Sequence, residues 1–534
     1  MSPIILGVCD SIESDISNYQ ELSNYERYFA LLESAVDGLC NFLGTDRTEV
    51  SQYLTDFVSI DAAALARTGY GQMVKDANDL GFTGIQCHTV DLGGASVCGA
   101  IGEAWRIAES NPYAVILVAG ADVPKSVFRQ VSDLKKLTAT VANSEYEIPY
   151  GATLIAMYGL LANKQMQDND IDISEYENIT KYFRNIAIEN PRSFYYRKEI
   201  IDKQFTKFLA YPYSTPMIAI VTDHGFATIV VGHKAHEELI AKSVIKEKSN
   251  PLYLIGTGHC IHSEYFSLKS KLESPAGIAA ERAFASAGCN RNSIEYAWIY
   301  DCFIGMIISQ ASAYFGENPK KVAEALQNGK IPIGDKEIPI NMGGGILNYQ
   351  AAMSMSGATG LVDVLSQYGL SKNPLPLSQK LTTPPKLSLL GGNGGIDSIN
   401  SVALFSQESA NTQSQRKPII HRRLKLNKII HPEKNTNSTI AKNNIDQSQN
   451  QIPNEQTERI GTILTSTVVY FNPGGEKKTP YVLALVSLEN GNFVMTNIYQ
   501  ENGDECRNLD LIKNNHTKIR IIPNNNIWKG IIVE

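Results

Sequence analysis

The chain has no CxxC pair, no apolar run reaching the roughly 18 to 20 residues that a membrane span requires, and no basic face over its core. Its eight cysteines stand apart at 9, 40, 87, 98, 260, 289, 302 and 506, which excludes a zinc or disulfide framework and leaves reduced, mostly buried thiols. No resident metal or cofactor is expected. A net charge of −7 gives nucleic acid no electrostatic reason to bind. Met1-Ser2-Pro3 lacks the charged and apolar regions of a secretory leader, so a soluble, cytoplasmic protein is expected. What is present is an ordinary globular composition, 43% hydrophobic and 19% charged over 534 residues, enough for two core units and an appendage.

Those two units begin alike. Pro3-Ile4-Ile5-Leu6-Gly7 and Pro251-Leu252-Tyr253-Leu254-Ile255-Gly256 are short apolar runs that end in Gly and read as buried strands. Each is followed by a Ser/Glu-rich connection, a helix with apolar residues three and four apart (residues 29–43 and 276–288), and a further strand (55–60 and 294–300). A duplicated α/β core is the simplest account.

The first half is read as residues 1–240. Between strands at 114–119 and near 218–231 lie about a hundred residues rich in Tyr, Lys, Arg and Glu, too many for a connection, so about 121–210 is read as a cap over the site. Residues 250–406 form the second half. From 407 to 458 the composition turns to Gln, Asn, Ser, Thr, Lys and Pro with almost no aromatics, which predicts a flexible linker whose basic residues Arg416, Lys417, Arg422, Arg423, Lys425 and Lys428 belong to a solvated tether. Residues 459–534 read as short strands at 462–471, 481–488 and 493–499 with turns at 473–475 and 490–492, a small β-barrel.

The chemistry is expected near Val90-Asp91-Leu92-Gly93-Gly94-Ala95-Ser96-Val97. Apolar residues at 97, 100, 101, 104, 107 and 108 define one helical face, Asn111-Pro112 ends it, and 114–119 is a fully buried strand. The Gly pair therefore makes a tight turn at a positive helix N-terminus, suited to a nucleophile or an anion, or simply to close helix–strand packing.

At this point the chain resembles the thiolase superfamily, in the branch of sterol-carrier-type thiolases and thiolase-like proteins. Over residues 3–405 the features carrying the resemblance stand in the right order. They are the turn–helix–strand unit ending Leu117-Val118-Ala119-Gly120, Pro212-Tyr213-Ser214-Thr215-Pro216 followed by Asp223-His224-Gly225, Tyr300-Asp301-Cys302-Phe303, Asn341-Met342-Gly343-Gly344-Gly345, and Gly391-Gly392-Asn393-Gly394-Gly395. The resemblance implies a thiolase fold of two similar βαβαβαββ halves in five αβαβα layers, plus the OB-like C-terminal barrel. It also implies an acyl-CoA or acyl-carrier thioester as ligand, and a homodimer paired through the strand at 114–119. Thiolase-like type 1 proteins look similar in carrying an added C-terminal domain.

The departures from that pattern are in the catalytic positions. Thiolases place a nucleophilic Cys in a Cys-x-Ser turn, and counting back from Gly120 puts Gly94 there, with Ser96 completing the motif. Cys98 lies one turn into the helix and Cys87 in a strand-like stretch before the turn, both read as structural thiols. The His or Asn of the second motif is Tyr300, the activating His of the third falls on Ala351, and Leu389-Leu390-Gly391-Gly392 offers no Cys or His. A covalent acyl-cysteine mechanism is expected to be absent, at a cost of on the order of 10⁴ in rate for that chemistry. The fold is expected to tolerate either residue at 94, since Gly is sterically easier than Cys.

The resemblance leaves three readings. One is a thiolase-like protein of lipid metabolism, a pseudoenzyme for thiolysis, that binds or acts on acyl-CoA, with Gly94, Ser96, Asn341, Gly344, Gly345 and Asn393 holding substrate. Another is a retro-aldol carbon–carbon lyase. Some steroid side-chain aldolases use this fold without the cysteine, carry a Tyr-Asp-x-Phe motif and work with an OB-fold partner, which implies catalytic roles for Tyr300, Asp301 and Tyr349, although Tyr349 lies two residues before the position of their second tyrosine. The third is a dimeric scaffold whose C-terminal domain binds a protein partner.

Overall fold

The computed structural model describes residues 1–64, 71–130, 133, 141–246, 250–269, 272–410, 424, 459–473, 477–489, 491–500, 502, 504–507, 517–524 and 527–532. The predicted linker lies outside the described residues except for 407–410 and Leu424, as do residues 474, 475 and 490 of the two predicted turns.

The first half contributes β1 (Ile4–Ile12), β2 (Asp56–Ile60), β3 (Gln86–Val90) and β4 (Val115–Asp122). Two short strands of the cap, β5 (Phe208–Ala210) and β6 (Tyr213–Ser214), precede β7 (His224–Val231). The second half adds β8 (Leu252–Ile261), β9 (Tyr296–Trp298), a hairpin of β10 (Lys330–Ile333) and β11 (Lys336–Pro339), then β12 (Leu387–Gly394) and β13 (Ile399–Ser406).

Nine of these form one sheet in the order β3-β2-β4-β7-β1-β8-β13-β12-β9. The duplication is written in its pairing. In the first half β2 runs parallel to β4, β4 antiparallel to β7, and β7 antiparallel to β1; in the second, β9 runs parallel to β12, β12 antiparallel to β13, and β13 antiparallel to β8. The position equivalent to β3 is reduced to one parallel bridge, Ala297 with Ile340. The halves meet where Ile4 and Ile5 pair with Tyr253 and Leu252, the two stretches that echo each other in sequence.

Helix placement follows the apolar stripes. The helix Asn24–Leu43 buries Leu31, Leu32, Ala35, Val36, Leu39 and Leu43. It begins five residues before the predicted start at 29 because Ser23 accepts from the Glu26 N–H while Glu26 reaches back to the Ser23 N–H, a capping box. Gly44, at φ 83°, ends it. The helices Ser96–Ser110 and Gly357–Ser366 share a central apolar cluster that includes Val97, Ile101, Ala104, Leu361 and Leu365. The helices Ala276–Ala287 and Ile304–Phe315 pack on the outer face of the second half.

The strand expected to pair two subunits does not present an edge. Residues 115–119 of that stretch fall in β4, whose two edges are taken by β2 and β7, so that strand has no free hydrogen-bonding edge for a partner. Among the described helices none is long and apolar enough to cross a membrane.

The C-terminal region is a closed five-stranded barrel of β14 (Arg459–Val469), β15 (Tyr481–Leu488), β16 (Phe493–Tyr499), β17 (Lys518–Asn524) and β18 (Ile527–Ile532). The last two strands were not read from the sequence. The barrel docks on the cap. Asn163 in the helix Leu154–Asn169 donates to the carbonyls of Tyr211 and Ser466, at 3.1 and 2.8 Å, and the backbone N–H groups of Tyr470 and Phe471 donate to Leu209 O. These buried amides tie the barrel to the helix and strand that wall the main cavity.

Candidate functional site

The turn after β3 is fixed by one hydroxyl. Ser96 Oγ accepts from the Leu92 N–H at 2.9 Å and donates to Gly93 O at 2.6 Å, closing a single 3₁₀ turn ahead of the helix Ser96–Ser110. Gly93 holds φ 55°, in the left-handed region that favours glycine. The turn lies against Gly394 and Gly395 at the end of β12; a Cβ on Gly93 would stand 3.3 Å from the Gly395 N.

Gly94 is the centre of the site. A Cβ built on it would overlap the Tyr300 hydroxyl and the Asn393 carbonyl oxygen. The volume that a cysteine side chain would take is therefore filled by a phenol delivered from the end of β9. The ring of Tyr300 packs edge-on against Trp298, with centroids 6.1 Å apart, and its hydroxyl hydrogen-bonds Ser356. Burial, reinforced by Cys302 and Asp301 nearby, pushes the phenol well above its ordinary value, so it stays protonated and acts as a donor.

Around it opens a cavity of about 980 Å³. Leu154, Ile155, Ile218, Ile220, Phe303 and Ile346 supply apolar wall, and Gly94, Tyr158, Glu264, Tyr300, Cys302, Ser356 and Asn393 supply the polar groups argued from here. No histidine, lysine or arginine is among the described lining residues, which include Asp61, Asp91 and Glu264. Cys302 is the one described cysteine in the lining, and burial pushes its thiol up to about 12. Its neighbours are Tyr158 Oη at 3.5 Å and Asn393 Nδ2 at 3.9 Å rather than an imidazole. Cys98 is fully buried under Leu390 O, with a thiol raised by desolvation, and Cys87 sits on β3 outside the lining. Ala351, at the position of the thiolase histidine, lines the cavity with a bare methyl.

Of the residues expected at the site, the structure brings Gly94, Tyr300 and Asn393 together in this cavity and leaves the others out of it. Ser96 closes the turn, as described. Asn341, at φ 44°, uses its side chain like a strand, with Oδ1 accepting from Ile299 N at 2.8 Å and Nδ2 donating to Ile299 O at 2.7 Å. Gly344, at φ 89°, packs under Ala187, and Gly345, at φ 69°, sits where any Cβ would strike the Asp301 carboxylate. Asp301 accepts from the Ile346 N–H at 2.9 Å and the Leu347 N–H at 3.4 Å, so it pins the backbone that follows the Gly run; burial raises its carboxyl to about 7.

Tyr349 belongs to a separate polar cluster. Its hydroxyl donates to Asp10 Oδ2 at 2.9 Å, beside His224 Nε2 at 3.2 Å and Arg192. Burial works to raise Asp10, but Arg192 and the hydrogen bonds from His224 and Asn373 outweigh it and hold the carboxyl well below the usual range. Asp223-His224 thus stabilises a strand junction.

Sequence reasoning missed Tyr158 and Glu264. Tyr158 comes from the cap helix, stacks on Phe303 at 4.0 Å and donates to Gly395 O at 2.6 Å. Glu264 follows β8, and its Oε2 lies 2.7 Å from where a Cβ on Gly395 would be. Nothing in the local spacing marks either, because the cap and the second glycine turn bring them in.

A duplicated sheet with a turn–helix site and a docked five-stranded barrel is a thiolase-like fold with an added C-terminal OB-fold domain. Residues 258–407 match the thiolase C-terminal domain-like family, and residues 455–509 match the C-terminal OB-fold domain of ChsH2. The chain is similar to a steroid side-chain-cleaving aldolase of Thermomonospora curvata, 21% identical over 282 residues that make 50% of this chain and 70% of that one. It is also similar to an acetyl-CoA acetyltransferase of Methanocaldococcus jannaschii, 22% identical over 294 residues, 54% of this chain and 71% of that one. Among solved structures, a monomeric SCP2-thiolase-like protein type 1 from Mycobacterium smegmatis superimposes with a TM-score of 0.65 at 16% identity, covering 100% of this chain and 99% of the other. The Ltp2-ChsH2(DUF35) aldolase gives 0.58 at 16% identity, covering 76% and 98%. These two likenesses are of fold.

Proposed function

We propose that this protein is a carbon–carbon lyase that cleaves an acyl thioester by a retro-aldol reaction, without a covalent cysteine intermediate. The observation that carries this reading is the Tyr300 hydroxyl standing in the volume that a nucleophile at Gly94 would need. Thiolysis requires a thiolate at that point and a base to activate it; the described lining supplies a bare glycine, Ala351 and a protonated Cys302. Retro-aldol cleavage requires no thiolate. It needs a donor for the thioester oxygen, which becomes an enolate as the bond between the α and β carbons breaks, and a protonated phenol buried among apolar walls meets that need. The Thermomonospora relative, named an aldolase, and the match to a ChsH2 domain support the same reading.

Tyr300 is the group expected to touch the reacting thioester, with Gly94 and Asn393 forming the floor beneath it. The size and apolar walls of the cavity suit a bulky hydrocarbon on the β-carbon. The ligand is an acyl thioester carrying a β-hydroxyl, delivered on coenzyme A or a carrier arm. The barrel, through Asn163 and Leu209, holds the cap wall in place.

Incubating the protein with a 3-hydroxyacyl-CoA whose β-carbon carries a bulky apolar group tests the proposal. A ketone or aldehyde and a shortened acyl-CoA should form in equal amounts with no added free coenzyme A. No cleavage of the 3-hydroxyacyl-CoA, together with cleavage of the matching 3-oxoacyl-CoA when free coenzyme A is supplied, would point to thiolysis and reject it.

A further inference from the structure

A retro-aldol step needs a base as well as a donor. The hydroxyl on the β-carbon must lose its proton as its oxygen becomes a carbonyl, and that proton must end on the α-carbon. Tyr300 is ill suited to take it, because burial holds its phenol protonated. Tyr158, also raised by burial, already gives its proton to Gly395 O. Cys302 is a neutral thiol. The acceptors left in the described lining are three carboxyl groups, Asp61, Asp91 and Glu264.

Their positions separate them. Asp91 is exposed and accepts from the Gly93 N–H at 3.4 Å within its own turn. Asp61 directly follows β2, where its N–H donates to Val90 O at 3.2 Å. Glu264 is half-buried and rests on the bare backbone of Gly395, at φ 60°, where any side chain would displace it. Gly395 is the residue that Tyr158 pins from the cap, and it abuts Gly93, whose neighbour Gly94 carries the Tyr300 hydroxyl above it. Two glycine turns in contact thus form one floor, with the phenol over one turn and the carboxylate over the other.

We propose that Glu264 is the general base of this cavity, an inference that rests on the lyase reading above. Its carboxylate takes the proton of the substrate's β-hydroxyl, and the O–H electron pair forms the new carbonyl. The bond between the α and β carbons breaks, and its pair moves onto the thioester as an enolate that Tyr300 hydrogen-bonds. After the carbonyl product leaves, Glu264 returns its proton to the α-carbon, so no other reactant is consumed. Four groups set the charge state of Glu264. Burial raises its carboxyl; Lys269 pulls it down, Glu147 and Asp91 push it up, and a hydrogen bond with Ser398 lowers it. The net direction is upward, so the base loses its proton only above the ordinary carboxylate range near about 4.3.

The experiment is kcat/KM against pH on a 3-hydroxyacyl-CoA for the unaltered protein and for Glu264→Gln, Glu264→Asp and Asp61→Asn, with ligand affinity measured by calorimetry for each. Glu264→Gln is expected to lower kcat/KM by roughly 10²–10⁴-fold and to abolish the acidic limb, while ligand affinity changes by less than about tenfold. Glu264→Asp, which keeps a carboxylate, should retain the limb at reduced rate. A Glu264→Gln protein with full rate and an unchanged limb would overturn the assignment, as would transfer of both effects to Asp61→Asn. An unaltered protein that cleaves nothing would overturn the lyase reading and this inference with it.

Discussion

Replacing Tyr300 with Phe lowers carbon–carbon cleavage by roughly 10²–10³-fold, the worth of one donor aimed at a developing oxyanion in a dry site. The change removes one oxygen and leaves the ring against Trp298, so the packing of the central cluster should persist. Ligand affinity is expected to fall by less than about tenfold, because a neutral hydrogen bond that exists in both ground and transition states contributes only about 1 kcal/mol net. The loss should therefore appear in kcat more than in KM. The pH profile gives a second readout. A phenol raised far above its ordinary value has no alkaline limb to lose, so Tyr300→Phe should lower the whole profile without moving its acidic edge. Unchanged kcat in Tyr300→Phe would remove the phenol from the reaction.

Gly94→Cys carries the second large effect, and here the expectation from sequence alone is corrected. A glycine at the turn looks permissive in isolation, but the space above it is filled. The added Cβ would overlap the Tyr300 hydroxyl, part of a movable side chain, and the Asn393 carbonyl, part of the β12 backbone. Overpacking of a filled interior costs typically 1–3 kcal/mol, and the backbone contact places this case at about 3 kcal/mol in a denaturant titration. Cleavage should be lost as Tyr300 is driven aside. Combining Gly94→Cys with Tyr300→Phe should recover only part of the stability, because the carbonyl contact remains. Neither variant should gain thiolysis, since Ala351 supplies no base to activate the new thiol. A Gly94→Cys protein as stable as the original would show that the turn has room that the structure does not give it.

How much of this could be read beforehand depends on how local each feature is. The duplicated core was legible because its signal is local and repeated: an apolar run ending in Gly, then a helical stripe, at 3–7 and again at 251–256. The site turn was legible for the same reason, since Gly93-Gly94 directly precedes an unbroken helical face. The second half of the barrel was not, because β17 and β18 carry Lys, Arg and Asn among their apolar residues and do not alternate cleanly. The wall and base of the site were hidden more deeply. Tyr158 reads as one more apolar position on an amphipathic helix, and Glu264 as a loop carboxylate; only the docking of the cap and the meeting of two glycine turns place them beside Tyr300. Asn341 and Tyr349 went the other way. The family resemblance assigned them to a cleft, whereas a backbone at φ 44° turns Asn341 onto the Ile299 peptide and a buried Asp10 draws off the Tyr349 hydroxyl.

The central claim is that this thiolase-like cavity works without a sulfur nucleophile. Intact-protein mass spectrometry of the full chain, quenched during incubation with an acyl-CoA, tests it most directly. The account predicts an unchanged protein mass at every time point; an acyl adduct mapping to Cys302, Cys98 or Cys87 would contradict it.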